Sequence, residues 1–141
     1  MPTGAVFAND QLNLILNSVA ISNLADNASA SPLTNLYLSL HTGDPSEGNQ
    51  TTSEAVYGSY ARVAITRTGA GWTVTGRVAS PNANITFPEG TSGSETCTHA
   101  AIGTDSSGTG KVLYAGTLSV PIITGVGIIP QIKTTSSITF N

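Results

Sequence analysis

Two histidines, His41 and His99, are the natural candidates for a general base in this sequence. Ser39 lies two residues before His41, on the same face of an alternating strand, and Thr42 follows. A nucleophile needs such a base within reach, but no Gly-x-Ser-x-Gly elbow accompanies the pair. Both histidines are therefore expected to be strand residues bonded to backbone. His41, Asp44 and His99 match no strong metal-ligand spacing, and the single cysteine, Cys97, can build neither a structural zinc site nor an intrachain disulfide. Four carboxylates remain. Glu47 and Glu54 share one polar stretch, Glu89 and Glu95 another, and all four are expected to be solvated loop charge. Trp72, Tyr57, Tyr60 and Tyr114 would make a sugar platform only on an exposed face, and a lone strand Trp belongs more naturally in a core. The expectation is no catalysis, no cofactor, no metal and no small-molecule substrate.

The elements that carry these residues follow from periodicity. Leu12, Ile15, Leu16 and Val19 share one face of a helix over Asn9–Ala20, with Asn9 or Asp10 as its cap. Residues 26–32 read as a linker. Leu36, Leu38 and Leu40 then alternate with Tyr37, Ser39 and His41, a strand with one buried face. Gly43, Asp44 and Pro45 end it in a turn, and Ser46–Val56 reads as a long surface loop. Further strands are expected at 60–66, 72–75, 77–79, 84–87, 96–102, 112–118 and 137–140, with residues 127–133 leading into the last. The glycine-rich Asp105–Gly110 joins two of them as a hairpin. The fold class is mainly β, an antiparallel sandwich or barrel-like domain of about eight short strands with a short N-terminal helix. The expected organisation is one compact domain, with residues 1–31 as arm and helix and 32–141 as the β part.

Composition narrows the class. Only 9% of the 141 residues are charged, against about 25% in an ordinary soluble domain. Thr, Ser, Asn and Gly take their place. The net charge of −3 leaves little self-repulsion in solution, which suits a subunit that lives inside an assembly. Five scattered Lys and Arg argue against a nucleic-acid partner. No stretch reaches the roughly 20 apolar residues of a membrane span, and no secretory signal is expected at the N-terminus.

Five short motifs stand in order. They are Leu36-Tyr37-Leu38-Ser39-Leu40-His41-Thr42-Gly43-Asp44-Pro45, Gly58-Ser59-Tyr60-Ala61-Arg62-Val63, Ile85-Thr86-Phe87-Pro88, Thr98-His99, and Leu113-Tyr114-Ala115-Gly116-Thr117-Leu118. This series resembles the small structural proteins of tailed-bacteriophage particles, often labelled tail fibre-like or virion proteins. The resemblance covers about Leu36 to Leu118 and implies a virion component, made in the bacterial cytoplasm, with no catalytic residues to carry over. The preferred expectation is a capsid decoration, or cement, protein on the outside of the shell. Its partners would be the major capsid protein and copies of itself, as a homotrimer. A tail fibre, tail-tip or head–tail connector component is the alternative, and a carbohydrate-binding module is the second.

Two sets of residues are singled out for structural roles. Arg62 either pairs with Asp44 or Glu54, pinning the long loop to the sheet, or stays solvated on an edge strand. The stretch from Val120 to Ile132 departs from the family pattern, being more apolar and broken by Pro and Gly. Within it Ile122, Ile123, Val126, Ile128 and Ile129 are the expected contacts between copies.

Overall fold

The computed structural model describes residues 5–20 and 33–139, with side chains from residue 8 onward. It is mainly β, as expected: one helix, α1 (Ala5–Asn17), precedes nine strands. These are β1 (Asn35–His41), β2 (Val63–Thr66), β3 (Trp72–Thr75), β4 (Val78–Pro81), β5 (Ile85–Thr86), β6 (Thr96–Gly103), β7 (Val112–Ile123), β8 (Gln131–Ile132) and β9 (Ile138–Thr139). They form three sheets, ordered β2-β1-β6-β7, β3-β4-β9 and β5-β8. The chain divides into two compact units, each assembled from separated stretches.

The first unit contains α1, β3, β4 and β9. Ala8, Leu12 and Leu16 repeat every four residues and are fully buried, so one stripe of α1 packs against β3 and β4. The helix begins at Ala5. Asn9 and Asp10 therefore lie inside it and cap nothing. It also stops short of Ala20: Ser18 turns left-handed at φ 57°, and the Val19 amide closes the end on the Asn13 carbonyl. The last turn contains no basic residue of its own. Arg67 supplies one from a distance, donating to the carbonyls of Leu14 and Ile15. A cation there satisfies orphan carbonyls and opposes the helix dipole. The expected linker at 26–32 and residues 1–4 of the expected arm lie outside the described residues.

The second unit spans Leu36–Ile65 and Ile85–Ile132. Leu36, Leu38 and Leu40 are buried, as the alternation predicts. Ser39 and His41 on the opposite face are buried too, at 0% exposure, so the strand has two covered faces at this end. The cause is the loop after it, which is not the free surface loop expected. The Ala55 amide bonds the Leu40 carbonyl, the Thr42 amide bonds the Ser53 carbonyl, and His41 bridges Glu54. Gln50 within the loop is completely buried.

The hairpin of β6 and β7 forms at its expected place, with His99 opposite Thr117 and Ala101 opposite Ala115. β7 runs five residues past its expected end at 118. Its register against β6 shifts between Cys97 and His99, which leaves Leu118–Pro121 as a bulge.

Candidate functional site

The second unit contains two constellations of interest, one buried and polar, the other exposed and aliphatic. The buried one is centred on Glu54. Arg62 reaches it with two parallel bonds, Nε to Oε1 at 2.6 Å and Nη2 to Oε2 at 2.7 Å. Tyr60, two residues earlier on the same side, donates its hydroxyl to Oε1 at 2.9 Å. Both members of the ion pair are largely removed from water, with side chains 3% and 13% exposed. Two of the three remaining guanidinium protons go to backbone carbonyls, Asp105 at 3.0 Å and Gly108 at 2.8 Å. One cation thus ties the long loop, the Tyr60–Arg62 segment and the β6–β7 turn together.

Of the two carboxylates considered for Arg62, Glu54 takes it. Asp44 is exposed and accepts the Ser46 amide at 2.9 Å. That hydrogen bond lowers its pKa from the ordinary 3.8. Glu95 was also expected to be solvated, yet one of its oxygens accepts the amides of Val56 and Tyr57 at 2.8 and 2.9 Å. Neither carboxylate role has a local sequence signal, because the partners lie 8 and 38–39 residues away.

His41 completes this frame. Its Nδ1 lies 2.9 Å from the Thr52 carbonyl, which can only accept, so Nδ1 carries the proton. Nε2 is then the acceptor for the Ser39 hydroxyl at 2.8 Å. Desolvation lowers the His41 pKa from 6.5, outweighing the opposite pull of the Thr52 carbonyl and Glu54. The serine and histidine have the spacing of a nucleophile and its base, but both are at 0% exposure. No substrate atom reaches them in this fold, and their arrangement positions backbone. Two aromatic residues of the motifs, Tyr60 and Phe87, are structural as well. Tyr60 stacks on Phe87 at 6.3 Å and meets Tyr57 edge-on at 5.4 Å. Trp72, in the other unit, is 2% exposed, so the sugar platform loses its central ring. Cys97 is fully buried, and its thiol is pushed up to about 11 by desolvation. Among the described residues no three His, Cys, Asp or Glu side chains gather into a metal site.

The exposed constellation spans the end of β7 and the turn after it. Val120, Ile123, Val126, Ile128 and Ile129 are 73%, 62%, 73%, 40% and 54% exposed. Ile122 is half-buried, opposite Cys97. The turn that carries Val126 is tightly held. The Ile128 amide bonds the Gly125 carbonyl at 3.1 Å, and Gly127 takes φ 75°. Gly90 grips the turn from the side, exchanging bonds of 2.9 Å with Gly127 and Ile128. The packing is so close that a Cβ on Gly90 would lie 2.1 Å from the Gly125 oxygen.

Residues of the first three motifs, among them His41, Tyr60, Arg62 and Phe87, build the internal frame, while the segment from Val120 to Ile129 is largely exposed. No curated protein matches the chain. The family model described as Podophage GP4 fiber I protein gp80 matches residues 5–139, nearly the whole chain, and the protein belongs to that family of phage fibre proteins as a structural component of the virion.

Proposed function

We propose that this chain is a subunit of a tail-attached fibre of a tailed phage and works by protein–protein contact, without catalysis. The observation that carries the reading is the match to a fibre family over residues 5–139. It favours the tail alternative over the decoration role preferred from sequence. The site geometry agrees. The only Ser–His pair at hydrogen-bond distance among the described residues is sealed from solvent, whereas five aliphatic side chains stand in water along the end of β7 and the tight turn after it. Rigid apolar groups dock with little loss of conformational freedom.

Binding to the major capsid protein as a cement subunit is the second reading, resting on the chain's small size and low charge. Gold-labelled antibody against the chain, imaged on intact particles, separates the two. Gold confined to fibres at the tail supports the proposal. Gold spread over the shell overturns it in favour of decoration.

A further inference from the structure

We propose that the segment Gln50–Ala55 is a strap over the end of β1 that opens as a local unit when His41 takes up a proton, and that its opening unlocks the exposed turn Asp105–Thr109. The device goes beyond the reading of the chain as a fibre subunit and holds wherever on the particle the chain sits.

The strap is held by polar contacts. Ala55 is its one apolar residue, so lifting it exposes little apolar surface of its own, the condition for local opening. The Thr42 amide donates to the Ser53 carbonyl at 2.8 Å, the Ala55 amide to the Leu40 carbonyl at 2.9 Å, and His41 Nδ1 to the Thr52 carbonyl at 2.9 Å. Ser53 stands at φ 52°, a left-handed conformation that serine seldom adopts, and opening relieves it. The Glu54–Arg62 pair is no obstacle. Both ends return to water, and the hydration they regain offsets most of the attraction lost.

His41, at 0% exposure, lies beneath the strap. The charged groups facing it are Glu54 on the strap, Arg62 on the segment before β2 and His99 opposite it on β6. Glu54 is the one anion among them, and Arg62 and Tyr60 already engage its oxygens. Arg62 and His99 both oppose a further positive charge. Since Nδ1 already donates to Thr52, an added proton goes to Nε2. The Ser39 hydroxyl must then turn its own proton to the Ala101 carbonyl at 3.3 Å. The ring keeps its hydrogen bonds but becomes a buried charge with no free counter-ion. Opening the strap brings it to water.

Gln50 carries the movement to the turn. Its completely buried side chain sits between Gly103 and Gly110, where a Cβ on either glycine would lie 2.1 or 2.0 Å from it. Neither glycine has a left-handed φ, so it is space that requires glycine at both. From this slot Gln50 Oε1 accepts the Asp105 amide at 2.9 Å, and Nε2 donates to the Asp105 carbonyl at 3.2 Å. The Gln50 amide donates to the Gly110 carbonyl at 2.9 Å. Above this clasp all five residues Asp105–Thr109 are exposed. Lifting the strap withdraws Gln50 and frees them.

The test is amide hydrogen exchange of the purified full chain, read by NMR above and below pH 6.5 and corrected for the intrinsic rate. The Thr42 and Ala55 amides are expected to exchange at least about tenfold faster than those of the β6–β7 ladder and to be insensitive to low urea. Below pH 6.5 their opening constant is expected to rise, by up to about tenfold per pH unit, until the folded value is reached. The Asp105 amide is expected to follow in step. His41→Gln is expected to remove the pH dependence. Gln50→Ala is expected to keep it while speeding exchange at Asp105. Strap amides as protected as the ladder overturn the inference, since the strap then opens only with the whole unit. So does an opening constant that is flat with pH, and so does an Asp105 amide that stays protected while the strap opens. All three are read on the native chain and do not depend on a variant folding.

Discussion

Arg62 and His41 show how single residues hold the fibre subunit's frame. Removing Arg62 leaves Glu54 buried without its cation and takes a donor from each of the Asp105 and Gly108 carbonyls, of which Asp105 keeps Gln50 Nε2. Breaking a buried ion pair from one side costs about 3–5 kcal/mol, so Arg62→Ala is expected to lower unfolding stability in urea by roughly 3 kcal/mol or more. Arg62→Lys is expected to recover only part of this, because an ammonium cannot make the two parallel bonds. For His41 the sign follows from burial. Its folded pKa lies below 6.5, so the unfolded chain binds the proton first. Its contribution is complete above 6.5 and is lost as pH falls from there toward the lower folded value. Stability is expected to decline as pH falls below about 6.5, the unfolded value. His41→Gln is expected to remove that slope while lowering stability at every pH. The positions of Arg62 and His41 stood out in the sequence through the motifs around them. Glu54 was one of the two carboxylates expected for Arg62, but Thr52 and the Gly108 carbonyl were not expected, because loop closure that no local pattern encodes brings them in.

At the scale of elements, strands were legible wherever side chains alternate. β1, β3 and the β6–β7 hairpin lie within a residue or two of their expected bounds at most ends. The errors have physical causes. β1 was read with one buried face because Ser39 and His41 are polar, yet the returning loop covers them and satisfies their hydrogen bonds. β2 begins at Val63 and not near Tyr60, because Tyr60 and Arg62 are engaged with Glu54 before the ladder starts. The helix start was displaced to Asn9 by its apparent cap, while burial runs back to Ala8. The Gly90 turn gives a prediction at this scale. Gly90→Ala drives a methyl group into the Gly125 carbonyl. Within the usual range of about 0.5–3 kcal/mol for single substitutions, it is expected near the upper end. Gly69→Ala, with open space around it, is expected to leave the melting temperature unchanged. Thermal melts of the two variants side by side check this.

For the whole molecule, the composition and the fold class point the same way. A chain with so few charges has little to keep its copies apart, and five of the nine exposed large aliphatics among the described residues lie between Val120 and Ile129. The sequence carried the virion resemblance in its motifs, but those motifs say nothing of position on the particle. The preference for a capsid location came from size and composition, which fit both places equally, and the fibre family favours the tail. The most direct measurement is the copy number of this chain in purified tailed particles and in tailless heads of the same phage. A small fixed number in tailed particles and none in tailless heads is the predicted result. Hundreds of copies retained on tailless heads would contradict the account.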